Sequence, residues 1–155
     1  MRLFYYLFIT FILISCSNNV ELIFDEDNGG LFLPTGFQSL VVHEGVGQSR
    51  HIAVNENGDI YVKLRLDYGR KGNVALRDKN GDGKADIIQR FGDYPNDGRF
   101  ATEMKINEGY LYYSSERVVY RQKLSSKKLI PDSPVEVILT RSEEHTSELQ
   151  SPLDI

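Results

Sequence analysis

Residues 51–64, HIAVNENGDIYVKL, and residues 73–91, NVALRDKNGDGKADIIQRF, decide how this chain is read. In the first, apolar and polar residues alternate on either side of Asn57-Gly58, a dipeptide suited to the positive φ of a tight turn. It therefore predicts two antiparallel strands joined as a hairpin. The second predicts two more strands, flanking an acidic, glycine-containing loop at residues 78–86. After the turn-rich GDYPNDGRF (92–100) the order recurs. TEMKINEGYLYYSS (102–115) predicts a hairpin, ERVVYRQKL (116–124) a third strand, and VEVILT (135–140) a fourth after SSKKLIPDSP.

The recurrence is a repeat. NENGDIYVKL (55–64) and INEGYLYYSS (106–115) occupy equivalent places, as do NVALRD (73–78) and VVYRQKL (118–124). Its period of roughly 50 residues is that of four-stranded propeller blades. GFQSLVVHEG (36–45) predicts a lone strand, of the kind that completes the last blade of a closed ring. No helix-period stretch stands outside the first sixteen residues. The expected fold is all-β: an incomplete β-propeller of about two blades over residues 34–140. The alternative is a β-sandwich of about eight or nine strands. Two blades cannot close a ring, and would leave an inner apolar face and long strand edges uncovered.

Composition agrees. The 155 residues carry a formal charge of −4, with nine tyrosines, eight phenylalanines and no tryptophan, a β-leaning balance. No stretch interleaves basic and aromatic residues, so nucleic acid is not an expected partner. Residues 1–16, MRLFYYLFITFILISC, place Arg2 before an apolar run at 3–14 that is short for a bilayer span, which fits a secretory signal. The run ends in Leu13-Ile14-Ser15-Cys16, which resembles the bacterial lipobox. Cys16, the one cysteine of the chain, is the expected lipidation site. The protein is then exported and held at a membrane, facing the periplasm or the cell exterior, with residues 17–33 as a polar tether.

RSEEHTSELQS (141–151) resembles the conceptual translation of a common short-read sequencing adapter, and residues 152–155 continue on its index and constant bases. Residues 141–155 are accordingly set aside as an artefactual tail. Glu143, Glu144 and His145 carry no functional weight, and the authentic frame is expected to run on past Thr140.

Within residues 78–86, Asp78, Asn80 and Asp82 stand at loop positions one, three and five. Gly83 follows at six, the backbone carbonyl of Lys84 at seven and Asp86 at nine. That order matches hard-cation ligation, and calcium is the expected ion, in a structural role. Position twelve is Gln89 rather than a bidentate glutamate. The other reading is a turn closed by Asn-Gly and Asp-Gly geometry and Asx hydrogen bonds. His43 and His51 are read as structural. Asp67, Tyr68, Arg70 and Lys71 are placed in a solvated loop between the second and third strands, and Lys127 and Lys128 in a solvated turn.

LPTGFQSLVVHEGVGQSRHIAVNENGDIYVKL (33–64), NVALRDKNGDGKADIIQRFG (73–92) and GYLYYSSERVVYRQKL (109–124) resemble the sorbosone dehydrogenase family, pyrroloquinoline quinone (PQQ)-dependent sugar dehydrogenase-like propellers. The most specific elements are residues 50–54 and the 78–86 loop followed by Arg90-Phe91-Gly92. DGRFATEM (97–104) departs from the family's small, glycine-containing apolar stretch at the second blade. The resemblance implies six blades with PQQ on the axis. It also implies hydride transfer to PQQ from a sugar or sugar-derived alcohol or aldehyde, with a catalytic base in a later blade. No residue here is assigned as catalytic, and the fragment itself is expected to be inactive. Blade topology implies that Arg50 stands on the cofactor face, where a guanidinium suits PQQ carboxylates or the quinone oxygen. The 78–86 loop falls on the opposite face. A non-catalytic propeller binding carbohydrate or a protein partner is the other functional reading.

Overall fold

The computed structural model describes residues 21–68, 71–93 and 103–141, and no side chains for residues 66–68. The leader with Cys16, Arg70 and residues 142–155 lie outside the described residues. The chain is all-β. Strands β1 (Ser49–Val54), β2 (Ile60–Tyr68), β3 (Lys71–Arg77) and β4 (Ile87–Asp93) form one antiparallel sheet in that order. A second follows from β5 (Met104–Asn107), β6 (Tyr110–Ser114), β7 (Val118–Lys123) and β8 (Glu136–Thr140). Within each sheet neighbours in sequence are neighbours in space, the order of a meander.

The expected hairpins form with two different turns. Between β5 and β6 the two-residue turn Glu108-Gly109 has both residues at positive φ, 49° and 76°, the twist-matched hairpin geometry. Between β1 and β2 the connection is longer. Val54 pairs with Ile60, the Gly58 amide donates to the Asn55 carbonyl, and Gly58 alone of residues 55–59 takes a positive φ, 87°. Asp59 in this turn is buried and accepts from Arg77 Nε and Nη2 at 2.6 Å each, which ties the turn to the end of β3. Two boundaries differ from the sequence reading. Asp67 and Tyr68 end β2 and Lys71 opens β3, so the connection there is tighter than a loop over residues 67–71. Residues 36–45 join neither sheet as a strand.

The sheets share one core. From the first sheet, Tyr61, Ala75 and Phe91 point into it; from the second, Met104, Leu111, Tyr113 and Tyr120, with Leu129 of the β7–β8 connection. Phe91 meets Tyr61 and Tyr113 edge-on, at ring-centroid distances of 6.1 and 6.4 Å, the favoured arrangement for aromatic quadrupoles. The Tyr61 hydroxyl donates to the Leu129 carbonyl at 2.9 Å. Between the sheets, β1 lies against β5.

Aligned on the turn glycines Gly58 and Gly109, residues 55–64 and 106–115 set Tyr61 on Tyr112 and Val62 on Tyr113. Tyr61 pairs with Ala75 as Tyr112 pairs with Arg121, and Val62 with Val74 as Tyr113 with Tyr120. The core face of the first sheet, that of Tyr61, therefore corresponds to the Tyr112 face of the second. Yet the second sheet enters the core with its Tyr113 face. On that alignment the two sheets meet through non-equivalent faces. On the other side of the first sheet, Val62, Leu64, Val74 and Leu76 form a second cluster beneath Val46 and Ala85.

Truncating the fully buried Leu111 to alanine is expected to destabilise the fold by about 2–5 kcal/mol in urea denaturation. Ile52→Ala, on the open side of β1 at 60% exposure, is expected to cost less than about 0.5 kcal/mol.

Candidate functional site

Antiparallel order fixes which groups share an end. β1 starts where β2 ends and β3 begins, whereas the β1–β2 turn and the 78–86 loop lie at the opposite end. Arg50 and the acidic loop are thus at opposite ends of the first sheet. Ser49 pairs with Leu64 and His51 with Lys63, so the register slips by one and Arg50 is the unpaired residue of a β-bulge. Bulges bend a strand and re-aim its side chains. Here the bulge leaves Arg50 exposed while His51 turns toward the neighbouring sheet, its Nε2 3.9 Å from Glu103 Oε1. Arg50, His51 and Glu103 therefore flank the mouth where β1 approaches β5. Beneath them Lys63 is buried, its Nζ donating to the carbonyls of Leu64 and Gly72 at 3.3 Å.

At the other end the loop closes on itself. Asp78 Oδ1 accepts from the amides of Asn80 (3.1 Å) and Gly81 (2.6 Å), and its Oδ2 from Gly83 at 2.7 Å. Asn80 Oδ1 accepts from Asp82 N, Asp82 Oδ1 from Lys84 N at 2.8 Å, and Asp86 Oδ2 from Lys79 N at 2.7 Å. These are Asx-type closures. Among the described residues no three carboxylate, imidazole or thiol side chains are grouped to hold a metal ion. The side chains expected to ligate calcium, those of Asp78, Asn80, Asp82 and Asp86, each accept from a backbone amide of the loop, and the Lys84 carbonyl stands among them in sequence.

The loop also holds the chain segment that precedes the sheets. Lys84 Nζ reaches Asp25 Oδ1 at 3.2 Å, and the Ala85 amide donates to the Val42 carbonyl at 2.9 Å. Asp25 Oδ2 accepts from the Val41 amide, while the Asn28 side chain and carbonyl bind Ser39. Residues 25–41, half of which read as polar tether, are therefore folded back on themselves and pinned to the loop. Gly83, at φ +90°, lets them approach: a Cβ there would stand 2.7 Å from Leu40 and 2.9 Å from Leu22. An open cavity of about 570 Å³ lies in this junction, lined by Asp25, Val41, His43, Glu44 and Lys84 among others. His43 thus stands at the loop end and His51 at the mouth. Lys127 and Lys128 are exposed, with Lys128 paired to Asp132 across one turn.

Sequence reading missed the Asp25–Lys84 clamp, because a single acid in a polar stretch has no periodic signal. It also missed the bulge, although Ser49-Arg50 before an alternating strand is where one fits. No protein family, no curated protein and no solved structure matches this chain.

The Val41 amide, then Lys84, hold the Asp25 carboxyl below its ordinary value of 3.8, and the Lys84 amide, then Asn80, do the same for Asp82. Groups with depressed values stabilise the fold above the unfolded value and lose that contribution as pH falls through the folded one. The protection of the Val41 and Lys84 amides against exchange, relative to the intrinsic rate at each pH, is therefore expected to fall as pH drops below 3.8 while that of Ala75 holds, as followed by NMR. Gly83→Ala is expected to lower stability by about 1–3 kcal/mol through left-handed backbone strain and the clash with Leu40.

Proposed function

We propose that the two sheets are adjacent blades of a β-propeller belonging to an exported, PQQ-dependent sugar dehydrogenase-like protein. The observation that carries the propeller reading is that the sheets meet through non-equivalent faces. Facing sheets of a sandwich cover each other's inner faces and complete a core. Here each sheet presents opposite faces of the same repeat, with β1 against β5, which is how blades follow one another around an axis. The cofactor reading rests on the resemblance, which covers nearly everything over residues 33–140, and on Arg50.

Arg50 suits one PQQ carboxylate or the quinone oxygen, since an exposed guanidinium at the mouth offers paired charge-assisted hydrogen bonds. Glu103, close by at His51, does not favour a polyanion. The described residues therefore supply one element of a cofactor clamp. When bound, PQQ supplies the hydride acceptor; the contribution of this chain is to hold and orient it. Cys16 is the proposed lipid anchor, which labelling of the expressed chain with a radioactive fatty acid tests directly. The Glu103 carboxylate favours a second reading, in which the mouth binds a neutral carbohydrate without redox chemistry.

Calorimetric titration of the full chain with PQQ separates these readings. Arg50→Ala is expected to weaken PQQ binding by about tenfold or more, the value of a lost charge-assisted hydrogen bond. Glu103→Gln is expected to strengthen it. PQQ affinity unchanged in Arg50→Ala would remove the cofactor role from this residue, and saccharide binding without PQQ binding would favour the second reading.

A further inference from the structure

We infer that the loop closed between Asp25 and Val41 is a membrane-docking surface, which lays Ile23, Leu31, Phe32 and Phe37 into the interface of the bilayer that holds the chain. The inference rests on the anchoring at Cys16 proposed above, and is independent of the cofactor.

The loop is built inside out. At its base the Asp25 amide donates to the Ser39 carbonyl at 3.1 Å and the Ser39 hydroxyl to the Asn28 carbonyl at 2.6 Å, while the Ser39 amide donates to Asn28 Oδ1 at 3.2 Å. With the Asp25–Lys84 ion pair, these bonds use the polar groups to close the base. The apolar side chains face water instead. Leu31, Phe32 and Phe37 at the tip and Ile23 at the entry are each more than half exposed, Phe32 completely, and no residue from 21 to 45 is buried. A loop that only connects elements carries polar residues outward. Large apolar groups gathered on one pinned loop mark a surface that something else covers.

Covalent reach identifies the occupant. Cys16 stands seven residues before Ile23, so at most about 25 Å of chain separates the anchor from the entry to the loop. The loop is held at the bilayer surface, where weak partitioning of each side chain adds up to docking. Nor is the tip a strand awaiting an edge. Pro34 has no amide for a ladder, and the Phe37 amide donates to the Pro34 carbonyl at 3.1 Å, closing a turn. A fluid interface accepts apolar side chains set around a turn, whereas a protein partner needs a shaped pocket for them. Charge narrows the lipid. Glu21, Glu26 and Asp27 are exposed beside the apolar groups, so a zwitterionic surface fits and an anionic one is opposed. Because the loop is fastened to residues 78–86, and Arg50 is at the opposite end of the first sheet, docking turns the mouth away from the lipid.

The test uses the full chain made by cell-free synthesis with Cys16→Ser. That change removes the native thiol and the acyl chains together, and leaves the apolar leader to hold the chain on a vesicle. Thr35→Cys at the tip, or Ser49→Cys beside the mouth, then carries one fluorophore on phosphatidylcholine vesicles whose acyl chains bear a spin-label quencher. Quenching at Thr35 is expected to exceed that at Ser49 several-fold, and to fall on phosphatidylglycerol. In the double variant Phe32→Ser, Phe37→Ser it is expected to drop to the Ser49 level with the melting temperature unchanged, since both side chains already stand in water. Equal quenching at the two sites, or none at either, would overturn the inference. Quenching at Thr35 that survives the double variant would do the same, because the leader and not the loop would then bring the tip to the lipid. A Thr35 label that answers to protein concentration and not to lipid would make a second copy the occupant, and would equally overturn it. Fatty-acid labelling decides the anchor separately: no incorporation at Cys16, with Thr35 still quenched, would remove the anchor and leave the docking surface standing.

Discussion

Tyr61 is the residue on which the rest depends. It is fully buried, sits between Ala53 and Ala75 in its own sheet, meets Phe91 edge-on, and donates its hydroxyl across the seam to the Leu129 carbonyl. Burial, with Asp59 nearby, pushes its hydroxyl pKa up to about 12, so it remains a neutral donor at any physiological pH. Small neighbours make this possible. Ala53 and Ala75 leave room for the second sheet to approach, and Tyr113 and Tyr120 fill it from the other side. The hydroxyl must find an acceptor, because a buried polar group left unpaired costs about 1–3 kcal/mol. The β7–β8 connection supplies one, and so the position of one sheet on the other is fixed by polar as well as apolar contacts.

The two ends of the first sheet are given different tasks by this arrangement. At one end the 78–86 loop spends its carboxylates on backbone amides and the ammonium of Lys84 on Asp25. Its sequence order resembles an ion-binding loop because both uses need short oxygen-bearing side chains and glycines at the sharp bends. At the other end, the bulge at Arg50 interrupts the ladder just where β1 comes beside β5. A regular strand would have given Arg50 a partner in β2. The irregularity instead leaves a cation in solvent at the mouth, with His51 and Glu103 beside it.

The two sheets differ in how their apolar surface is covered. On the side of the first sheet away from the seam, Val46 and Ala85 pack on Val62, Leu64, Val74 and Leu76, while Ile52 and Val54 of β1 stay exposed. On the second sheet Leu139, opposite Val119, stands in solvent on the side away from the seam, and Val137, opposite Tyr120, is exposed on the other side.

The sequence by itself determined the strands. Alternation around Gly58, Gly81, Gly83 and Gly109 is a local property, and period-two patterning with positive-φ turn residues is legible without knowing what lies across the core. It also determined the repeat, since equivalent hairpins recur in order. Residues 36–45 show the limit: Leu40, Val41 and Val42 have strand-like composition, but a strand needs a neighbouring edge, and the described structure gives them Asp25 and Ala85 as partners instead. Only the tertiary structure decided which face of each sheet is buried, because both faces of the first sheet are apolar and alternation alone is symmetric between them. It alone placed Arg50 in a bulge, Asp25 on Lys84 and Tyr61 on Leu129. Those contacts join residues from separate elements, and their energy depends on distance and burial, which a linear pattern does not contain.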